Sequence, residues 1–214
     1  MDSFLVSLWL RLLRLLRVLS PFQWLCWAMP RLGPSYAAVE LWVLGHLVLS
    51  VIFLLGLQHP LLRVSHFWHT AMCAYAGIRV FEIVAINALV LLDIQSSRRE
   101  PEKPAALGGY RRLLLLVAHN YAEVALWFAF VYAEFPGHFS TTACNVRETV
   151  CAIYFSVITM ATVGYGDITP MDGVGRALVV AQISVGIFLT VVILARVIAN
   201  LPQLPSLDPN EKRL

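Results

Sequence analysis

Apolar residues run along this chain in long blocks rather than narrow stripes. A helix needs ~20 residues to cross a hydrocarbon core. Four blocks reach that length, Tyr36–Leu57, Thr70–Leu92, Leu113–Phe135 and Val174–Asn200, and predict four transmembrane helices. A fifth apolar stretch, about 148–169, is too short to span and predicts a segment that enters and leaves from one side. Irregular backbone at that depth is tolerated only where protein buries it or where it lines a watery path. Residues 3–20 show another pattern. Ser3, Ser7, Arg11, Arg14 and Arg17 share one helical face, and leucines with Trp9 cover the rest. That predicts an amphipathic helix lying in the membrane interface, with Trp24 and Trp27 anchoring the next turn.

These elements divide the chain into an interfacial segment (1–35), a transmembrane hairpin (36–95), a linker (96–109), a second membrane module (110–201) and a short tail (202–214). The linker, SSRREPEKPAALGG, is charged and rich in Pro and Gly. Composition agrees with membrane residence. The chain is 59% hydrophobic and only 14% charged, which excludes an ordinary soluble domain. A net charge of +3 gives no reason to expect a nucleic-acid partner.

The basic residues predict orientation. Eleven of the 16 fall before the first span, between the second and third, or after the fourth: Arg11, Arg14, Arg17, Arg31, Arg98, Arg99, Lys103, Arg111, Arg112, Lys212 and Arg213. Arg63, Arg147 and Arg176 lie on the opposite side. Lys and Arg concentrate on cytoplasmic loops. Both termini are therefore expected in the cytoplasm of a multi-pass plasma-membrane protein, or of an inner-membrane protein if the source is bacterial. Arg11, Arg14 and Arg17 then face the leaflet richer in anionic lipid.

Ionisable residues within spans are costly and often functional. Arg79 and Glu82 stand i, i+3 on the second span and can pair. Glu123, mid-span beside His119 and Asn120, either reaches Arg79 or keeps its proton by burial. Glu40, Asp93 and Arg196 sit near span ends, within reach of the interface. His66 and His69, with His59 nearby, could sense pH or bind Zn²⁺, but lack an obvious third ligand. Cys144 and Cys151 both fall on the expected outer side, where a disulfide is open to them; Cys26 and Cys73 read as apolar fillers. No nucleotide loop, metal cluster or nucleophile–base pair stands out, so neither an enzyme nor a cofactor is expected.

The chemistry concentrates in one run, Thr162-Val163-Gly164-Tyr165-Gly166-Asp167. A dehydrated K⁺ must meet oxygens that replace its water shell, and backbone carbonyls can supply them. Glycine at alternate positions permits backbone angles that let successive carbonyls face one way. The six residues, set between two spans, resemble the selectivity filter of the potassium-channel pore family. Ala152–Ala161 is similar to that family's pore helix, Ile168-Thr169-Pro170 to its exit, and Gly186, 11 residues after Gly175, to its hinge glycine. The resemblance covers roughly residues 108–201.

The resemblance implies an all-α membrane protein: four transmembrane helices, a re-entrant pore helix and filter, and an N-terminal interfacial helix. Thr162, Val163, Gly164, Tyr165 and Gly166 would coordinate K⁺, the permeant ion. Asp167 would tether the filter, with the Tyr154 hydroxyl as its partner. The Tyr165 ring would pack against Tyr154 and Phe155. Ile183, Ile187, Thr190 and Leu194 recur at helical spacing and would line a cavity or gate. One filter per chain implies a homotetramer. Two positions depart from the family pattern: Ala161 stands where relatives often carry a second Thr, and Ile158 where some carry a Glu. A weakly selective cation channel and a non-conducting regulatory subunit are the alternatives. The arginine spacing at 11, 14 and 17 also resembles a voltage-sensing helix, but no spans precede it. With so few residues after the last span, no C-terminal regulatory domain is expected.

Overall fold

The structure, a computed structural model, describes residues 4, 8, 11, 20–28, 36–57, 66–97, 110–142 and 144–199. Its helices are α1 (Pro21–Ala28), α2 (Tyr36–Gly56), α3 (His66–Ser97), α4 (Tyr110–Glu134), α5 (Thr149–Met160) and α6 (Gly173–Ala199). Strands β1 (Phe139–Thr141) and β2 (Ile168–Pro170) form a small antiparallel pair, with Phe139 opposite Pro170 and Thr141 opposite Ile168. Among the described residues, four helices are long and apolar enough to cross a membrane: α2, α3, α4 and α6. They coincide with the four predicted spans, with ends shifted by at most about five residues. Helix α5 has 12 residues, about 18 Å at 1.5 Å per residue, and cannot cross.

Helix α4 is the hub, packing against α2, α3, α5 and α6. Between helices in lipid, close van der Waals contact replaces the hydrophobic drive, and small residues permit it. Ala125, Ala129 and Ala133 repeat at i, i+4 along a buried stripe of α4. Ala152 and Ser156 repeat the same way on α5, both fully buried. Ser156 Oγ reaches Ala125 O at 2.6 Å, so the two stripes meet. Large rings fill the space on either side. Trp127 packs edge-on against Phe53, Tyr75 and Phe130, joining α4 to α2 and α3. Tyr132 packs against Phe139 and Phe155 under the strand pair.

Several sequence expectations lie wholly or partly outside the described residues: Arg14 and Arg17, His59, the linker beyond Ser97 and the tail 202–214. Residues Phe4, Leu8 and Arg11 are helical and exposed. Helix α1 departs from a purely interfacial segment. Its start is held by a buried carboxylate: Ser20 Oγ and Phe22 N both donate to Glu82 Oε1.

Candidate functional site

The run Thr162–Asp167 begins directly at the end of α5. Thr162 N donates to Thr159 O at 3.0 Å and Val163 N to Ile158 O at 2.8 Å, so the last turn of α5 fixes where the run begins. Positive φ then recurs at every second residue: Thr162 at 56°, Gly164 at 56° and Gly166 at 79°. In an extended strand successive carbonyls alternate sides; reversing backbone handedness at every second residue brings them to one side. Glycine takes that conformation without penalty. A β-branched residue does not, and Thr162 is the one non-glycine with positive φ among the described residues. Strain of this kind persists only where the surroundings impose it, and it gathers at functional sites.

The far end of the run is tied down three times. Tyr154 Oη donates to Asp167 Oδ2 at 2.7 Å. Thr142 donates twice to Asp167 O, from its backbone N at 3.0 Å and from Oγ1 at 3.1 Å. The chain then leaves through β2, paired with β1. Asp167 Oδ1 is buried and has no partner among the described residues. Between these ties the run is open: Thr162 to Gly166 are all exposed in the single chain.

One expected contact is not made. Tyr165 is 71% exposed and packs on neither ring as foreseen. Phe155 is buried, with its ring 4.8 Å from Tyr132 and 5.4 Å from Phe139. Adjacent helical positions point about 100° apart, and here Tyr154 faces the run while Phe155 faces the core. The disulfide left open by the sequence is present: Cys144 and Cys151 are joined, clasping the loop before α5 to its first turn.

Helix α6 begins at a capped end. Asp172 Oδ1 accepts from Gly175 N at 2.8 Å, the N-cap arrangement, and Oδ2 lies 2.5 Å from His138 Nδ1. The Gly175 N–H first, and the His138 ring next, hold the Asp172 carboxyl below its ordinary value. Further along, Gln182, Gly186, Leu189 and Arg196 bury one stripe of the helix. Arg196, expected to reach the interface, is only 3% exposed. The expected lining residues fall on the adjoining stripe, with Ile183 half-buried and Thr190 exposed. Ile187 is 51% and Leu194 56% exposed in the single chain. Gly186 sits against α5. A Cβ there would lie 2.9 Å from both Met160 O and Met160 Cγ, so close packing requires the glycine.

Two polar networks lie within the helix bundle. In the first, Arg79 Nε and Nη2 grip both oxygens of Glu123, at 2.7 and 3.0 Å, and Nη1 donates to Glu82 Oε2. Trp127 Nε1 adds a bond to Glu123 Oε1 at 3.1 Å. Both routes foreseen for Arg79 are therefore used together. The second was not foreseen. Gln182 Oε1 accepts from Tyr132 Oη at 2.6 Å, and Nε2 donates to Ser156 O and Oγ at 2.9 and 2.7 Å. A lone glutamine in an apolar span gives no periodic signal, although its polarity at that depth was itself a cue. His69 pairs with Glu134 at 2.6 Å, and no group of three metal ligands occurs among the described residues.

Residues 121–202 match the ion channel family. Among curated proteins, "Two-pore potassium channel 4" of Arabidopsis thaliana is 32% identical over 111 residues, 51% of this chain and 38% of that protein. "Two pore potassium channel c" of Oryza sativa is 34% identical over 55 residues, 26% of this chain and 12% of that protein. "Probable potassium channel protein 2" of Methanocaldococcus jannaschii is 56% identical over 36 residues, 17% of this chain and 10% of that protein. The matches thus span well under half the length of these relatives. No solved structure matches. Residues 121–202 are thus similar to an ion channel domain and to stretches of proteins named potassium channels, and the four long apolar helices fit a multi-pass membrane protein.

Proposed function

We propose that this chain forms a K⁺-selective pore that passes K⁺ passively down its gradient, as a ring of four copies. The observation that carries the reading is the alternating backbone of residues 162–166, held at the end of a non-spanning helix between two spans. Carbonyls of Thr162, Val163, Gly164 and Tyr165, with the Thr162 hydroxyl, would replace the hydration shell of K⁺ in single file. Helix α5 turns its negative C-terminal end, at Ala161, toward the space below, which favours a cation there. One run supplies one wall of a filter. Four copies would close it, cover Tyr165, and turn the stripe at Ile183, Ile187, Thr190 and Leu194 inward.

In this reading both termini are cytoplasmic, the filter opens outward in the plasma membrane, and Arg11, Arg14 and Arg17 meet anionic lipid. The relatives named two-pore favour a second arrangement, in which fewer chains complete the ring with another filter-bearing subunit. Mass measurement of purified protein separates the two, four copies of 23.9 kDa being expected for the first. Function is tested by planar-bilayer recording of the purified chain. Current in a K⁺/Na⁺ gradient should reverse near the K⁺ equilibrium potential, and Gly164→Ala should abolish selective conduction, because a Cβ opposes the φ of 56° there. Reversal near zero would leave only a weakly selective cation channel. Absence of flux from the wild-type protein would leave a regulatory subunit.

A further inference from the structure

We infer that Gln182 is a specificity-positioning residue: its amide holds α5 against α6, and so fixes the backbone of the Thr162–Gly166 run in the geometry that separates K⁺ from Na⁺. This rests on the channel reading above.

Gln182 has no solvent exposure and lies within one of the four apolar spans. An amide at that depth must find partners within the protein. It finds three bonds, and they set its orientation. The nitrogen end must face Ser156 O, because a carbonyl can only accept; the oxygen end then receives the Tyr132 hydroxyl. Ser156 Oγ accepts from the amide at 2.7 Å and donates its own hydrogen bond to Ala125 O at 2.6 Å. One side chain therefore joins α4, α5 and α6.

The contact continues one turn further along both helices. Gly186 comes four residues after Gln182 and meets Met160, which comes four after Ser156. Helices α5 and α6 are thus clamped twice in register, by a hydrogen bond and by a close approach. The second clamp lies two residues before Thr162. Tyr121 Oη reaches the same Met160 O, at 3.4 Å, from α4. Since Thr162 N and Val163 N are bonded to Thr159 O and Ile158 O, a shift of the last turn of α5 carries the start of the run with it. The run's walls are backbone, and Thr162 already holds an unfavourable φ, so the run cannot keep its spacing if its foot moves.

The test is the permeability ratio of Na⁺ to K⁺ from bi-ionic reversal potentials, with the full chain purified and recorded in planar bilayers. Gln182→Met keeps the length and removes every bond. It should assemble as wild type does, conduct, and raise the Na⁺/K⁺ permeability ratio at least tenfold. Tyr132→Phe removes one bond and leaves the link to Ser156 in place; the ratio should change less than threefold. Ser156→Ala added to Gln182→Met should cause little further change, since both remove one link. If Gln182→Met is not recovered as folded protein, Ser156→Ala alone decides, with a rise of about threefold expected. Wild-type selectivity in Gln182→Met, or in Ser156→Ala where only that variant folds, overturns the inference. So does an equal loss in Tyr132→Phe, which would trace the effect to general loosening of the core. An unselective wild-type channel defeats the channel reading itself, and Gln182 then has no selectivity to position.

Discussion

Two buried networks among the described residues lie within the same helix bundle and are built on opposite terms. Arg79, Glu82 and Glu123 join the front hairpin to α4 through charge, and none is more than 2% exposed. Gln182, Ser156 and Tyr132 join α4, α5 and α6 through neutral groups, each fully buried. Both are fully connected. Every oxygen of Glu82 and Glu123 accepts a bond, and every polar atom of the Gln182 amide is used. They differ in the consequence of losing one member. A neutral group left behind loses a modest bond, about 0.6 kcal/mol on average within a bilayer. A charge left behind keeps its whole desolvation cost. The charged network is therefore a strict lock whose loss costs stability, whereas the neutral one can lose a bond at little cost in stability while still setting the register of α5 beside the run.

The comparison breaks first at Arg79. Arg79→Met strands two carboxylates and should cost about 3–5 kcal/mol, the range for breaking a buried pair. Thermal unfolding in detergent, or loss of monodisperse protein, would report it. Adding Glu82→Gln and Glu123→Gln should recover most of the loss, since well-packed neutral groups often replace a buried ion pair without harm. The same logic bears on the front hairpin. Deleting residues 1–95 leaves Glu123 without Arg79, so the truncated chain should fold far better with Glu123→Gln. Equal recovery with and without that change would mean that the lock contributes nothing.

Gly186 gives the next effect. Read as a hinge, it should tolerate alanine in assembly and alter opening alone. Read as a contact, Gly186→Ala drives a methyl group into Met160 and should cost about 1–3 kcal/mol, the usual range for overpacking. Met160→Ala should rescue only part of this, because the backbone oxygen of residue 160 lies as close as its side chain. Stability measurements on the single and double variants decide between the two.

How legible each element was in the sequence depends on how its signal is written. Long apolar blocks announce spans regardless of their neighbours, so all four stand within a few residues of their expected ends. The Thr162–Asp167 run carries its own backbone requirement in its glycines. The Tyr154–Asp167 bond was also foreseen, from the resemblance. In the single chain Phe155 packs on Tyr132 and Phe139 rather than on the Tyr165 ring, a choice of ring partner that the apolar pattern does not encode. The anchoring of α1 on Glu82 and the Gln182 network were hidden for a different reason. Each joins residues 26 to 62 positions apart through single polar side chains, and no periodicity encodes such a pairing.

Tyr154→Phe should act locally. It removes the hydroxyl that holds Asp167 Oδ2 and leaves both Thr142 bonds to Asp167 O in place. The run should stay tethered and conduct K⁺, but lose conduction faster on prolonged opening in low K⁺. Unchanged decay in single-channel records would show that the Thr142 bonds suffice alone.

The smallest effect belongs to the exposed pair His138–Asp172, the counterpart that sharpens the contrast with Arg79. Both pairs are close contacts, yet Asp172 is 48% exposed, and water and salt screen it. Its carboxyl is held below the ordinary 3.8 by the Gly175 N–H and then by His138. The sign comes from linkage. A depressed carboxyl stabilises the fold above its unfolded value, and that contribution disappears as pH falls through the lower folded value. Asp172→Asn keeps an N-cap acceptor and removes only the charge. Its melting temperature should therefore sit slightly below wild type at pH 7, by far less than for Arg79→Met. The gap should narrow in high salt and close only in acid below about pH 3.8. A gap as large as that of Arg79→Met, or one insensitive to salt, would mean that burial is not what separates the Arg79 lock from the His138–Asp172 pair.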